Sequence, residues 1–225
     1  MAETNVKRQT SADIVFESIY DEIISLGLLP GSKISEVEIA DRFGVSRQPV
    51  RDAFNRLGNL ELLQIQPQRA TQVRKFSLSG IAAARFIRLA IELELARSAI
   101  ENWSDKYDEQ FKRNLAEQTD TLSENDLVAF HALDEEFHRL IAEVADKPFA
   151  FDLILQKKAQ VDRICVLSLK DRSGTKHIVD DHATIYHHIR NRDIDKVDAA
   201  LRLHLSRIEP TIAAVCHDYP EYFEE

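Results

Sequence analysis

A short run near the N-terminus, Gly44–Phe54, limits the fold more than any other part of the chain. Its glycine suits a tight turn, Ser46 has a side chain that can cap a helix, and Pro49 fits the first turn of that helix. Apolar residues then recur at positions i, i+4 and i+7, which predicts one buried face. These residues are Val50, Phe54 and Leu57. The pattern predicts the turn and second helix of a DNA-binding helix-turn-helix.

The other face of this helix carries Arg47, Arg51 and Asn55, which are spaced four residues apart. Guanidinium and amide groups bind phosphates, guanine edges and adenine edges. An ordinary surface helix with solvated arginines would show the same pattern, so this interpretation depends on the neighbouring residues. With them, we expect DNA contacts from five residues of the turn and helix: Ser46, Arg47, Gln48, Arg51 and Asn55.

The bulk composition predicts a protein with an ordinary folded core. The chain has 225 residues, 44% of them apolar, which is enough for one large domain or two small ones. Its two cysteines lack metal-ribbon spacing, and no signal-peptide or membrane-spanning apolar run occurs, so we expect a cytoplasmic location without membrane contact. The net charge of −9 argues against nucleic acid, yet residues 47–75 hold six basic groups against two acidic ones. A DNA-binding protein with a separate second domain is expected to have a locally basic segment in an otherwise acidic chain.

The residues around this run predict a winged helix. A first helix is expected over Ser11–Leu26, and a second over Ser35–Gly44, where a capping box provides the start and glycine the stop. Residues 63–66 and 71–74 alternate apolar and polar side chains, as the two strands of a hairpin do. Three helices and a small hairpin make a winged helix, with Arg69 at the wing tip as a sixth candidate DNA contact.

From Ser77 onward the apolar pattern is helical throughout. It predicts six segments, at about 79–102, 106–123, 125–146, 148–170, 174–191 and 193–217. The expected fold class is therefore mainly α. We expect the chain to divide into three parts. These are a flexible arm (1–10), a winged helix-turn-helix domain (11–76) and an all-helical bundle (77–225).

Four potential metal ligands lie on three of these predicted helices. Asp134 and His138 are four residues apart and therefore project from one side of a helix, while His182 and His204 each interrupt an apolar stripe. A histidine in a core-facing stripe needs a partner for its ring nitrogens. If the four converged, one carboxylate and three imidazoles would suit zinc, nickel, iron(II) or manganese. Histidines that are hydrogen-bonded within the core are the alternative interpretation.

The N-terminal residues resemble the DNA-binding domain of the GntR family of bacterial transcription regulators. The resemblance rests on three runs: Leu29–Gly31, Ser35–Ala40 and, most specifically, Val45–Ala53. It implies that Arg47 and Arg51 contact a palindromic operator and that the wing tip does so as well. The chain departs from the family at Glu61, before the wing, and at Ala70, after the wing arginine, where the family usually has glycine.

Residues 80–215 resemble the FCD domain, the ligand-binding domain of the FadR branch of that family, in its six-helix VanR-like form. The matching runs are Arg88–Glu92, Asp134–His138, Asp181–His182 and Asp193–Leu205. The resemblance implies that the one aspartate and three histidines hold a divalent metal ion, with zinc favoured over nickel, iron or manganese. Arg88 is the candidate partner of an effector carboxylate, with a salt bridge to Glu92 as the competing interpretation. We count Glu92 and Arg163 with it as candidate ligand-binding residues.

Together these features predict a homodimeric, sequence-specific DNA-binding transcription regulator that is not an enzyme, with repression as the default. Its partners would be a double-stranded palindromic operator and a small carboxylic-acid effector bound at the metal centre. Two alternatives stay open. One is a metal-dependent enzyme that activates water at the site of one Asp and three His, and the other is a DNA-binding regulator whose metal is purely structural.

Overall fold

The computed structural model describes residues 9–66, 69–124, 126–168 and 175–224. It divides into two compact units. The first comprises Met1–Leu78, Ala159–Val166 and Tyr219–Glu225, and the second comprises Ser79–Lys158 and Leu167–Asp218. The sequence predicted a single domain boundary after residue 76. It did not predict that Ala159–Val166 and Tyr219–Glu225 belong to the first unit. Most of the predicted arm, residues 1–8, and the wing-tip residues 67–68 lie outside the described residues.

The first unit contains three helices and a small sheet. Its elements are α1 (Ser11–Ile24), β1 (Lys33–Ile34), α2 (Glu36–Phe43), α3 (Arg47–Asn59), β2 (Leu63–Gln64) and β3 (Thr71–Val73). The sheet is antiparallel with the order β1-β3-β2, and it pairs Ile34 with Thr71 and Leu63 with Val73. The hairpin of β2 and β3 agrees with the predicted strands, whereas β1 was not predicted because two residues are too few to show alternation.

Local capping chemistry sets the helix ends in this unit. The reciprocal capping box is formed by Thr10 and Asp13 at the start of α1. At the start of α2, Ser35 Oγ accepts a hydrogen bond from the Val37 N–H at 3.2 Å, one residue earlier than the capping box predicted there. Gly44 ends α2 with a φ of 62°, a left-handed conformation in which a glycine carries no Cβ penalty.

The second unit is built from helices. They are α4 (Leu78–Asn102), α5 (Asp108–Glu124), α6 (Leu127–Val144), α7 (Pro148–Ser168, shared with the first unit), α8 (Thr175–Arg190), α9 (Ile194–Ser206) and α10 (Glu209–Asp218). The last predicted segment is therefore two helices. Pro210 explains the break, because a proline ring clashes with the carbonyl four residues earlier, and that residue, Ser206, is where α9 ends.

An aromatic cluster forms part of the core of the second unit and leads to the histidines. Phe111 stacks on Tyr186 and meets the edge of Phe137, and Phe137 in turn stacks on His182 with ring centroids 4.1 Å apart. The rings of Phe111, Phe137 and His182 are 0% exposed, so the histidine is part of the packed core. Among the described residues, no helix combines the length and the apolarity needed to cross a membrane.

Candidate metal centre and nucleic-acid interface

Helix α3 buries one face and exposes the other, as its sequence predicted. Val50, Ala53 and Leu57 are 0% exposed and face the core of the first unit. The side chains predicted to contact DNA are all exposed: Ser46, Arg47, Gln48, Arg51 and Asn55. Ser46 occupies the position before the helix, but its hydroxyl makes no capping hydrogen bond. The turn and helix therefore present hydroxyl, guanidinium and amide groups on one surface.

The two arginines of this surface share an acidic partner on α2. Arg47 Nη2 and Arg51 Nε donate to the same oxygen, Oε2 of Glu36, at 2.8 and 2.9 Å. Partial burial alone would raise the pKa of Glu36, but the hydrogen bonds from the arginines outweigh it and hold that pKa below its ordinary value. This role of Glu36 was not predicted, because an acidic residue in the first turn of a helix is already explained by the helix dipole.

Other basic residues of the first unit have different surroundings. Arg56 pairs with Asp13 at 2.8 Å and lies 3.9 Å from the ring centre of Phe16, so it ties α3 to α1. Arg69 is exposed and donates to Gln66 Oε1 at 3.1 Å. Glu61, before the wing, adopts a positive φ of 59°. That conformation costs a non-glycine residue about 1–2 kcal/mol.

The second unit brings the four predicted metal ligands together. Asp134 and His138 come from α6, His182 from α8 and His204 from α9, and each offers a ligand atom within 4.8 Å of the others. The three imidazoles are 0–7% exposed, and the Asp134 side chain is 20% exposed. A buried set of one carboxylate and three imidazoles, converging from three helices, fits the donor preference of a divalent transition metal.

The same ring nitrogen of each histidine faces the centre of this cluster. Nε2 of His138 lies 3.2 Å from Nε2 of His204, and Nε2 of His182 lies 3.5 Å from Oδ1 of Asp134. Two imidazole nitrogens at such a distance require that at least one lacks a proton. Within the described residues, Nε2 of His182 is buried and has no hydrogen-bond partner. A buried acceptor of this kind costs free energy unless a further group binds it.

Polar side chains from three different elements face the opposite nitrogens, and of the three contacts that of Gln118 with His182 is a hydrogen bond. The pairs are Glu92 Oε2 to His138 Nδ1 at 2.7 Å, Gln118 Oε1 to His182 Nδ1 at 2.8 Å, and Asp181 Oδ2 to His204 Nδ1 at 3.7 Å. Metal-binding histidines usually donate their second N–H to such a partner, which fixes the ring and its tautomer. The site therefore has both an inner set of donors and an outer set of supports.

Burial and neighbouring charges set the protonation states that metal binding needs. Burial, with the charges of the other histidines, lowers the pKa of His182 well below its ordinary value and keeps its ring neutral at pH 7. Burial alone would raise the pKa of Asp134, but its interactions with the protonated forms of His182 and His138 and with Arg88 outweigh burial and lower that pKa. Neutral imidazoles and an ionised carboxylate are the ligand forms of a metal site.

The three residues proposed for the effector pocket divide between the two units. Arg88 Nε donates to Glu92 Oε1 at 2.6 Å, which is the competing salt bridge considered from the sequence. Arg163 is fully buried in the first unit, where Nη2 donates to the Arg74 carbonyl at 3.0 Å and the guanidinium lies over the Phe76 ring. Burial lowers the pKa of Arg163 to about 10, so it stays charged at pH 7. The structure does not bring Arg163 together with the metal ligands.

Two family models account for most of the chain. The model of the bacterial regulatory proteins of the gntR family matches residues 11–73, and the FCD domain model matches residues 84–207. The chain belongs to the GntR family. It is therefore a DNA-binding transcription regulator and not an enzyme. The FCD match begins within α4 and extends to the end of α9, and α10 lies beyond it. FCD domains bind small-molecule effectors, and they also bind metals.

Two relatives agree with this assignment, and a solved structure shares the fold. The chain is 34% identical over 211 residues to the HTH-type transcriptional repressor RspR of Escherichia coli strain K12, covering 94% of the chain and 92% of RspR. It is 31% identical over 200 residues to the HTH-type transcriptional repressor NanR of Salmonella newport, covering 79% and 75%. The fold resembles Escherichia coli McbR/YncC with a TM-score of 0.74 at 17% identity, covering 94% of the chain and 99% of that structure.

Proposed function

We propose that this protein is a homodimeric cytoplasmic repressor whose DNA affinity is controlled by a small carboxylic acid bound at a divalent metal centre. The repressor assignment draws on the two relatives, RspR and NanR, which carry that name. Two copies related by a two-fold axis would place two α3 helices on a palindromic operator. Arg47 and Arg51 of α3, with Arg69 of the wing, would supply contacts to bases and phosphates.

The observation that carries the metal hypothesis is the convergence of three Nε2 atoms on Asp134. His182 decides it, because its Nδ1 is engaged by Gln118 while its buried Nε2 has no hydrogen-bond partner among the described residues. A histidine that only packed in the core would have both nitrogens satisfied. When bound, zinc, nickel, iron(II) or manganese would use these donors and keep coordination positions open for an effector oxygen.

The charges around the centre favour an acidic effector. Each outer carboxylate has its own cation, since Glu92 pairs with Arg88 at 2.6 Å and Asp181 pairs with Arg207 at 2.9 Å. These pairs are neutral as units, so a divalent ion together with Asp134 leaves one positive charge in a largely buried site. An anion such as a carboxylate neutralises that charge, whereas a neutral ligand leaves it uncompensated.

Effector control would follow if the acid binds one conformation of the protein better than another. The acid would then shift the population toward that conformation, and it would change operator affinity by the same factor by which the operator changes the affinity for the acid. The proposed metal ligands lie on α6, α8 and α9, so binding of the metal and the acid would draw these three helices together. Repression with release by the acid is the simplest form of this hypothesis.

The test combines native mass spectrometry with an operator-binding titration. We expect the purified protein to be a dimer that carries a metal ion in each chain and loses it to a chelator. We also expect a carboxylic acid to change operator affinity in the metal-loaded protein and to have no effect after chelation. A dimer that takes up none of the four metals would contradict the metal hypothesis. An acid response that survives chelation would show that the metal is not the effector site.

A further inference from the structure

We propose that Gln118 on α5 is the residue that orients His182 for the metal and leaves the centre with the positive charge that selects an anionic effector. The inference rests on the proposed function and deepens it, because it assigns metal affinity and effector charge preference to one neutral side chain. Gln118 is 0% exposed, and its sequence context carries no metal-ligand spacing, so only the structure connects it to the site.

A backbone carbonyl fixes the orientation of the Gln118 amide. The Leu133 carbonyl, which can only accept hydrogen bonds, lies 3.0 Å from Nδ2 of Asn114 and 3.4 Å from Nε2 of Gln118. Nε2 of Gln118 also donates to Oδ1 of Asn114 at 2.6 Å. The Asn114 nitrogen therefore faces the Leu133 carbonyl, the Gln118 nitrogen faces Asn114 Oδ1, and Oε1 of Gln118 is left to face Nδ1 of His182.

The fixed amide determines the tautomer of His182. Oε1 of Gln118 can only accept, so Nδ1 of His182 carries the proton at their 2.8 Å contact and Nε2 keeps its lone pair. That lone pair is the one that points to the centre of the cluster, 3.5 Å from Asp134 Oδ1. Gln118 thus presents a neutral imidazole ready to bind a metal ion, without any contact to the ion itself.

Gln118 differs from the supports of the other two histidines in its charge. His138 and His204 face carboxylates, each paired with an arginine, whereas His182 faces an amide backed by Asn114 and a carbonyl. A third carboxylate in this position would have no cation among the contacts of Gln118 and would cancel the remaining positive charge. The neutral amide therefore keeps the centre attractive to an acid while it still orients the ring.

Two substitutions of one residue separate orientation from charge. Gln118→Met keeps the length of the side chain but removes the acceptor, and we expect the zinc affinity to fall by about 10–100-fold. Gln118→Glu keeps an acceptor for His182 and adds a negative charge, and the Asn114 amide must turn its nitrogen toward the new carboxylate oxygen. We expect the zinc affinity to exceed that of Gln118→Met, and we expect the affinity for acetate and succinate to fall by more than about tenfold, because the added charge cancels the remaining positive charge of the centre. A purely structural role for Gln118 would not lower carboxylate affinity in one variant while that variant keeps its zinc affinity.

The experiment uses the full-length protein, with zinc competition against a chromophoric chelator and carboxylate titrations of the cobalt(II)-loaded form followed by visible absorption. Asp108→Asn is the matched control, since Asp108 is a buried carboxylate on α5 that contacts Tyr186 and Lys112 and none of the metal ligands. Thermal unfolding of the metal-free variants reports on folding. The Asp108 variant should keep both affinities at the wild-type value.

The outcomes distinguish this inference from the proposed function. Wild-type zinc affinity in Gln118→Met, or wild-type acetate and succinate affinity in Gln118→Glu, would overturn the role of Gln118 while leaving the metal centre intact. If Gln118→Met does not fold, the carboxylate titration of Gln118→Glu decides the charge argument alone. A wild-type protein that binds neither zinc nor cobalt would overturn the proposed function itself, and this inference with it.

Discussion

Glu36 Oε2 accepts a hydrogen bond from Arg51 Nε at 2.9 Å, so the first residue of α2 holds a central arginine of the candidate recognition helix. The same oxygen accepts from Arg47, and both arginine side chains remain about half exposed. Exposed long side chains lose rotamer entropy when they bind DNA, and a partner that already restrains them reduces that loss. Glu36 therefore orders the arginines and also competes with DNA phosphates for them.

Glu36→Gln is expected to weaken discrimination between operator and random DNA while it strengthens non-specific binding. The variant releases the arginines and removes a negative charge from the DNA-facing surface, which raises the electrostatic, salt-dependent part of the affinity. The measurement is a fluorescence anisotropy titration of operator and scrambled duplexes between 50 and 200 mM salt. Over this range, proteins with many phosphate contacts lose about 10³–10⁵-fold in DNA affinity, so a change in the electrostatic part is measurable. Glu22→Gln is the control, because Glu22 pairs with Arg42 in the same unit. Equal effects of both variants would contradict the proposed role of Glu36.

Arg51→Ala is expected to remove a contact worth about 1–3 kcal/mol, a loss of about 5–150-fold in operator affinity, because a bidentate arginine–base pair has that value. Arg56→Ala is the matched control on the same helix. Arg56 pairs with Asp13 and covers Phe16, so its loss should lower stability and leave operator affinity per folded molecule unchanged. Electrophoretic mobility shift with operator DNA measures the first effect, and thermal unfolding measures the second. Retained operator affinity in Arg51→Ala would remove Arg51 from the interface.

The buried face of α3 was predictable from its spacing, and the four metal ligands from the family resemblance, whereas the supporting contacts between distant residues were not. The buried stripe of α3 has a fixed spacing that any amphipathic helix must follow. The contact of Gln118 with His182 spans 64 residues, and that of Glu36 with Arg51 spans 15. No local pattern encodes such pairs, because many polar side chains on helices would satisfy the same spacing by chance.

The assignment of Arg163 shows a second limit of sequence patterns. A lone arginine in an apolar helix indicates burial but not which domain buries it. Helix α7 passes from the second unit into the first, so Ala159–Val166 packs with the winged helix, where Gln160 donates to the Glu61 carbonyl at 2.6 Å. The unit in which Arg163 is buried depends on the tertiary packing of α7, and the apolar periodicity of α7 does not predict that packing.

Arg163→Met is expected to lower the free energy of unfolding of the first unit by about 1–3 kcal/mol, since the substitution removes a charge-assisted hydrogen bond to the Arg74 carbonyl and the contact with the Phe76 ring. Metal content and carboxylate affinity should stay at the wild-type value. Arg202→Met, at an exposed position of α9, is the control for loss of a positive charge. Denaturant unfolding and elemental analysis are the measurements. A loss of carboxylate affinity in the Arg163 variant alone would instead restore this residue to the effector pocket.

His182→Ala is expected to reduce the metal content of the purified protein by more than about tenfold, because metal affinity depends on a complete donor set held by its outer partners. The change also removes the ring stacked on Phe137, so circular dichroism must show that the helices remain. His187→Ala is the matched control, since His187 lies on the same helix but is exposed and contacts Asn191. Inductively coupled plasma mass spectrometry after desalting gives the metal per chain. Full occupancy in His182→Ala would exclude His182 as a ligand and leave its buried Nε2 unexplained, whereas loss in both variants would point to binding at surface histidines.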